Sequence, residues 1–245
     1  MTEMRKMRTV GVLGGMGPEA TVLLMSRVIA LTAATDDSDH VPMLIDNNTQ
    51  VPSRIKALIE KTGEDPGPVL VAMARRLAAA GAEALAMPCN TAHHYAPLLK
   101  RSLPLPFLDM IELTTDHLRG LPGAAGSSDC LRVGMLASPA VKITGLFDRA
   151  FAGHRLQPVY LPDQNALLAC IREIKSAGQS DAAVQLLQDA AAGLLRAGVD
   201  VLLVACSELS LLNRTLPREV LMVDSIDVLA GAIVAFSRDG LARNG

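Results

Sequence analysis

The sequence lacks tryptophan and has few aromatic residues of any kind, which make up 2% of its 245 residues. Surfaces that stack nucleic-acid bases need such rings. A surplus of positive charge is also missing, because 23 lysines and arginines stand against 25 aspartates and glutamates. Strongly basic surfaces attract nucleic acids and anionic membranes. We therefore expect neither nucleic acid nor a membrane as a partner.

No apolar run approaches the roughly 20 residues that a helix needs to span a bilayer. The N-terminal segment MTEMRKMRTV also has neither the apolar stretch nor the cleavage site of a signal peptide. These features predict a cytoplasmic location. Thiols stay reduced in that compartment, so the four cysteines predict no disulfide framework.

Half of the residues are hydrophobic, and they occur in short runs. Apolar runs alternate with stretches of helical periodicity, two of which are 68–80 and 182–197. This alternation predicts an α/β fold with parallel sheets covered by helices on both faces. The predicted strands are 9–13, 43–46, 84–87, 107–109, 132–136, 157–160, 201–204 and 221–223.

The two halves of the chain repeat each other. The segment VGVL at 10–13 matches VGML at 133–136, and LAAAGAEALAMPCNT from Leu77 matches LLRAGVDVLLVACSE from Leu194. A glycine precedes a cysteine by eight residues in both segments, which places Cys89 and Cys206 at equivalent positions. The repeat predicts two similar α/β subdomains related by pseudo-twofold symmetry, with the active site in the cleft between them.

The stretch 120–129 is rich in Gly, Pro and Ser, and this composition predicts a linker between the halves. We therefore expect an N-terminal subdomain at 1–120 and a C-terminal subdomain at 121–223. The chain end, 224–245, is expected to return and pack on the N-terminal subdomain.

Cys89 and Cys206 each follow a predicted strand and precede polar residues that can open a helix. A helix N-terminus stabilises a thiolate, and this is expected to lower the thiol pKa. Two thiols on opposite sides of one carbon can remove a proton from one face and return one to the other, which is the chemistry of racemisation. The alternative is a pair of inert, buried cysteines. Cys130 and Cys170 do not recur in the other half, and they are expected to be inert.

A metal site is a weaker hypothesis. Cys89 and His93 are four residues apart, a spacing that a metal could use on a helix. No second ligand pair accompanies them, so we expect no metal.

Gly14 to Ala20 follow the first strand and open a helix, and Gly15 to Ala20 fit the dinucleotide pattern G-x-G-x-x-A. That pattern also needs an acid at the end of the second strand about 20 residues later, and the nearest such candidate, Asp46, lies 31 residues after Gly15. We expect the loop to bring backbone amides to a small substrate at Met16 and Gly17. Binding of NAD(P) is the alternative.

Four segments together resemble the aspartate/glutamate racemase family, and its aspartate racemase branch most. They are GVLGGMGPEAT, LIDNNTQVPSR, MPCNTAHHY and CSEL, and the resemblance runs along nearly the whole chain with these segments in the same order. The resemblance implies a two-domain α/β fold, a homodimer, no cofactor and a dicarboxylic amino acid as substrate. It implies Cys89 and Cys206 as the proton donor–acceptor pair.

The same resemblance implies a set of binding residues. Asn90 and Thr91 would hold the substrate α-carboxylate, with Ser207 contributing from the other half. Asn48, in the NNTQ segment, is also expected to bind the substrate. Arg54 and Lys175 match basic residues that would grip the side-chain carboxylate, for which an arginine fork and a lysine point charge are both suited.

The chain departs from the family pattern at three places. Ser207 replaces a common threonine, Ser210 replaces a common proline, and 137–142 replaces a segment that often carries a Gly-Thr pair. Related isomerases and lyases remain alternatives: hydantoin racemase, maleate isomerase and arylmalonate decarboxylase. A non-catalytic module that binds small acids is the third possibility.

Overall fold

The computed structural model describes residues 7–121, 130–217 and 219–242. All eight predicted strands are present, and each end lies within one residue of the prediction. Their bounds are β1 Val10–Gly14, β2 Met43–Asn47, β3 Ala84–Ala86, β4 Phe107–Leu108, β5 Leu131–Ala137, β6 Leu156–Val159, β7 Val201–Ala205 and β8 Met222–Asp224.

Both helices predicted from periodicity are confirmed, and each begins and ends one residue earlier than expected. Local signals fix several helix starts, such as Pro18 in the first turn of α1 and the side chain of Asp109, which caps α4. The α-helices of the described residues are α1 Pro18–Leu31, α2 Gly67–Ala79, α3 Ala96–Ser102, α4 Met110–Arg119, α5 Pro139–Ile143, α6 Leu146–Phe151, α7 Asn165–Ala177, α8 Asp181–Arg196, α9 Ser207–Ser210 and α10 Ser225–Ala242.

The strands form two parallel four-stranded sheets with the same order, β2-β1-β3-β4 and β6-β5-β7-β8. This confirms the predicted pair of similar α/β units. Gly11 and Gly134 show the equivalence in detail. A Cβ on Gly11 would lie 2.8 Å from the Cβ of Ala82, and one on Gly134 would lie 2.9 Å from a methyl group of Val199. Each unit therefore uses a glycine where the chain beyond a helix approaches its central strand.

The last helix, α10, packs against the N-terminal unit. Ile226, Leu229 and Ile233 of α10 are fully buried in one cluster with Val10 and Val12 of β1. The chain end therefore covers one face of the first sheet. The division into subdomains at residue 120 stays a prediction, and 122–129 of the expected linker lie outside the described residues.

Within the described ranges, no helix has both the length and the apolar character that crossing a membrane requires.

Candidate active site

The two repeated cysteines lie at equivalent ends of equivalent strands. Cys89 comes shortly after β3, and Cys206 comes directly after β7. Each of these strands is the third in its sheet and pairs with the central strand of its unit. In open α/β sheets ligands bind beyond such carboxyl ends.

A single cavity of about 370 Å³ lies between these strand ends, and both cysteines line it. Cys89 and Cys206 are each only 6% exposed, although they belong to separate hydrophobic clusters. The volume falls in the range of small-molecule sites. The lining residues are Gly15, Met16, Gly17, Pro18, Thr49, Val51, Ser53, Arg54, Ile55, Cys89, Thr91, Ser138, Ile171, Lys175, Cys206 and Glu208.

A more open cavity of about 770 Å³ lies elsewhere, around Arg214, Pro217 and Asp227. It is larger, but no cysteine lines it. Both cavities have charged residues in their walls, but only the smaller one is lined by the two thiols that acid–base chemistry at a carbon would use.

Seven of the ten predicted site residues line the cysteine cavity. Two come from the glycine loop, two are basic, two are the cysteines, and one carries a hydroxyl: Met16, Gly17, Arg54, Lys175, Cys89, Cys206 and Thr91.

Asn48, Asn90 and Ser207 are among the described residues, and they do not line this cavity. Asn48 uses its Oδ1 to accept from the backbone N–H of Gln50. Asn90 is buried, and its Nδ2 donates to the hydroxyl of Ser225 at 2.9 Å. Its Oδ1 is also buried and has no hydrogen-bond partner among the described residues.

Glu208 is a lining residue that the sequence prediction missed. Its Oε2 accepts from the Cys206 Sγ at 3.2 Å, and its Oε1 accepts from the Nζ of Lys175. The signal was the acid two residues after the second cysteine, inside the CSEL segment. The prediction left Lys175 without a protein partner, whereas the structure pairs it with Glu208.

The pKa of the Cys206 thiol differs from the value expected at a helix N-terminus. Burial and then the Glu208 carboxylate raise the pKa of Cys206 well above its ordinary value of 9.0, and the backbone N–H of Glu208 lowers it by less. The expected lowering of the thiol pKa is therefore wrong at Cys206. The helix that follows, α9, spans only Ser207–Ser210, and so contributes little dipole.

Ser138 is the second lining residue that was missed, in the segment where the chain departs from the family pattern. Its Oγ lies 2.9 Å from the Oγ1 of Thr91. Thr91 follows Cys89 in the first unit, while Ser138 follows β5 in the second. The hydroxyl pair therefore joins the two units at the wall of the cavity.

His93 supports the backbone beside Cys89. Its Nδ1 lies 2.9 Å from the carbonyl oxygen of Cys89, and its Nε2 accepts from the backbone N–H of Met110 at 3.0 Å. Burial lowers the pKa of His93 most, against an opposing effect of Asp109. With both ring nitrogens engaged, His93 has no free nitrogen for the metal that its spacing from Cys89 suggested. The described residues also contain no cluster of His, Cys, Asp and Glu that could hold one.

The glycine loop presents Met16 and Gly17 to the cavity, and contact of its backbone amides with a substrate stays a prediction. Gly15 has a φ of +88°, and a Cβ there would lie 2.3 Å from the backbone of Asn48. Asp46, the acid considered for a dinucleotide, instead pairs with Arg76 at 2.7 Å.

The two remaining cysteines lie away from this cavity. Cys130 is exposed, and Cys170 is buried in α7, where its Sγ donates to the carbonyl of Ala183. Burial raises the pKa of Cys170 to about 11. A thiol with so high a pKa is mostly protonated at neutral pH and reacts slowly.

Comparison with known proteins relates this chain to racemases. A family model described as "Asp/Glu/Hydantoin racemase" matches residues 13–233. The "Broad specificity amino-acid racemase RacX" of Bacillus subtilis is 24% identical over 234 residues, which are 92% of this chain and 96% of that protein.

Among solved structures, an aspartate racemase of Picrophilus torridus is 27% identical with a TM-score of 0.80, and the match covers 95% of this chain and 97% of that one. A glutamate racemase, RacE1 of Bacillus anthracis, is 14% identical with a TM-score of 0.65, and the match covers 98% of this chain and 83% of that one. At that identity the second match shows a shared fold alone.

Proposed function

Because the chain belongs to the Asp/Glu/Hydantoin racemase family and is therefore an isomerase of the racemase type, we propose that it racemises a dicarboxylic amino acid, aspartate or glutamate, without a cofactor. The observation that carries this proposal is the single cavity that both Cys89 and Cys206 line. We propose further that the enzyme works in the cytoplasm as a homodimer.

The proposed reaction uses the cysteines as two bases. One sulfur, as a thiolate, takes the α-proton from one face of the substrate. The other sulfur, as a thiol, gives its proton to the opposite face, and the electron pair of its S–H bond stays on sulfur. The two cysteines exchange roles in the reverse direction, so neither has to swing around the substrate.

The charges of the cavity favour an acidic substrate. Arg54 and Lys175 both line it, and the Nη1 of Arg54 donates to the carbonyls of Val51 and Pro52. These bonds hold the guanidinium in place while its other N–H groups can bind a carboxylate. Thr91 lines the cavity, and its hydroxyl is proposed to hold the α-carboxylate.

A broader substrate range is the second candidate, and one observation favours it. Lys175 is already paired with Glu208, so it need not demand a carboxylate from the substrate. The racemase from Bacillus subtilis carries broad specificity in its name.

A substrate panel tests the proposal. The purified chain is incubated without pyridoxal phosphate with L-aspartate, L-glutamate, L-alanine, L-lysine, a 5-substituted hydantoin or maleate, and the products are separated by chiral chromatography. We expect D-aspartate or D-glutamate at the highest rate. Equal rates for alanine and lysine would favour the broad enzyme. Turnover of the hydantoin or of maleate alone, or tight binding of aspartate without turnover, would contradict the proposal.

A matched pair of variants tests the role of Arg54. Arg54→Leu should raise the KM for aspartate by about tenfold or more, since a charged hydrogen bond is worth about 1.5–3 kcal/mol. Arg75→Leu removes an equal charge from an exposed position on α2 and should leave the KM unchanged.

A further inference from the structure

The two cysteines lie at equivalent positions, but their surroundings differ. The sulfur of Cys206 donates to the Oε2 of Glu208 at 3.2 Å. The ring of His93 contacts Cys89, but it does so at the backbone carbonyl oxygen of Cys89 and not at the sulfur. A two-base racemase needs one thiol and one thiolate at the start of each turnover. The carboxylate of Glu208 breaks the symmetry between the two.

Lys175 connects this carboxylate to the place where a substrate side chain would bind. It reaches Glu208 from α7, and its Nζ and the Oε1 of Glu208 form an ion pair. Gly17 faces the pair from the first unit, since a Cβ on Gly17 would lie 3.7 Å from Glu208 Oε1 and 3.9 Å from Lys175 Nζ. Lys175 therefore lies in the cleft between the units.

The pair also lies between two cavities. Gly17, Pro18, Lys175 and Glu208 line both the cysteine cavity and a neighbouring one of about 320 Å³. Lys175 is thus within reach of a ligand in the cysteine cavity while it contacts Glu208. Its ammonium can turn from one carboxylate to another at small cost, because it is a point charge on a flexible stem.

We propose that Glu208 is a positioning residue that keeps the proton on the Cys206 sulfur in the substrate-free enzyme, and that Glu208 and the side-chain carboxylate of the substrate compete for the ammonium group of Lys175. This inference rests on the proposed racemase function. It assigns the first roles: Cys206 begins as the acid, and Cys89 begins as the base. In that direction Cys89 takes the α-proton, the S–H bond of Cys206 breaks, and its proton goes to the opposite face of the substrate carbon.

Glu208 and Lys175 have opposite effects on the ionisation of the Cys206 thiol. Burial and then the carboxylate of Glu208 raise the pKa of the Cys206 thiol. Burial by itself lowers the pKa of Lys175, but Glu208 and then the two cysteines raise it overall, which shows that Lys175 attracts negative charge on either sulfur. The other charged groups nearby are Arg54, in the cysteine cavity, and Glu19, in the neighbouring one.

Two variants should move the pH profile in opposite directions. The value of kcat/KM falls at high pH as the acid, Cys206, loses its proton. Glu208→Gln removes the charge that opposes the thiolate and should shift this basic limb to lower pH by about one unit, because one nearby charge shifts a pKa by about 1–3 units. Lys175→Met removes the charge that favours the thiolate and should shift the limb to higher pH, while it raises the KM for aspartate.

Glu19→Gln is the control, because it removes a carboxylate from the neighbouring cavity at a residue that does not line the cysteine cavity. It should leave the basic limb in place. A Glu208→Gln limb at or above the wild-type pH would overturn the proposal. So would shifts of the same sign in Glu208→Gln and Lys175→Met.

A second measurement does not depend on turnover. The rate at which iodoacetamide alkylates Cys206 is followed from pH 6 to 9 by peptide mass spectrometry in the ligand-free proteins. Glu208→Gln should speed this reaction by about tenfold at pH 8, because alkylation follows the thiolate fraction, and Lys175→Met should slow it. If the wild-type chain racemised nothing while alkylation behaved as described, the proposed function alone would fail. If it racemised aspartate while alkylation of Cys206 were unchanged in Glu208→Gln, the role of Glu208 alone would fail.

Discussion

The hydroxyl groups of Thr91 and Ser138 lie 2.9 Å apart, and this contact joins the two repeated units beside the cysteines. Ser138 is 5% exposed, so its hydroxyl has little access to water as a substitute partner. The contact fixes one wall of the cavity to both units at once. The pair is therefore one of the contacts that hold the two units together beside the cavity.

Ser138→Ala should lower the free energy of unfolding by about 1 kcal/mol, the typical net value of one hydrogen bond. It should also raise the KM for the substrate, because Thr91 loses the group that orients it. Urea unfolding and steady-state kinetics measure the two effects. Ser176→Ala is the control, since this exposed hydroxyl donates to carbonyls of its own helix and does not line the cysteine cavity. A KM unchanged in Ser138→Ala would show that Thr91 is oriented without Ser138.

The glycine loop gives a prediction with a built-in control. Gly15→Ala should destabilise the protein by at least about 2 kcal/mol, since its φ of +88° and the backbone of Asn48 at 2.3 Å both oppose a side chain. Gly17→Ala should keep wild-type stability, because its φ of −89° suits alanine and its nearest neighbours are in ordinary contact. Thermal unfolding compares the two, and equal melting temperatures would refute this description of the loop.

Asp224 predicts a pH dependence of stability. Burial, and then Asp227, raise the pKa of Asp224 from 3.8 to about 6, against hydrogen bonds from Ser210, Asn213 and Ile226. Between those pH values the folded protein holds a proton that the unfolded chain has released. The contribution of Asp224 to stability therefore falls by about 3 kcal/mol as the pH rises from about 4 to about 6, since a pKa difference of one is worth about 1.4 kcal/mol.

The test is the difference in unfolding free energy between the wild type and Asp224→Asn, measured in urea at several pH values. Asparagine does not titrate, so the variant should gain stability relative to the wild type as the pH rises through that window. A difference that stays constant from pH 4 to pH 6 would mean that Asp224 keeps its ordinary pKa.

His93 predicts the opposite slope. Burial lowers the pKa of His93 from 6.5, so the folded state favours the neutral ring. Its contribution to stability is complete above about pH 6.5 and is lost as the pH falls below that value. In His93→Gln, this fall in stability on acidification should be absent. The variant should also have a lower kcat, because the carbonyl of Cys89 loses its ring partner. His154→Gln, at an exposed position, should change neither property.

The order of elements was predictable because it depends on local patterns. Short apolar strands, predicted with three to five residues each, were placed within one residue at each end. The pairing of Cys89 with Cys206 was also predictable, because an internal repeat transfers the position of one to the other.

What the sequence could not provide were contacts made only by folding. Glu208 lies two residues after Cys206, but its role depends on Lys175, which is 33 positions away in the chain. The pKa of the Cys206 thiol was predicted in the wrong direction for the same reason, because burial and a neighbouring carboxylate are tertiary properties. Asn90 follows Cys89 directly, yet its side chain donates to Ser225 and does not line the cavity.

Exchange of the α-hydrogen with solvent tests the two-base account most directly. Aspartate is racemised in D₂O by the wild type, Cys89→Ser and Cys206→Ser, and deuterium at the α-carbon of each enantiomer is measured by NMR and mass spectrometry. We predict that the wild type places deuterium in the product enantiomer and that each variant loses at least about 100-fold of its racemase rate, because each lacks one of the two acid–base groups. Racemisation at the wild-type rate in either variant, or a product that keeps its original α-hydrogen, would contradict the account.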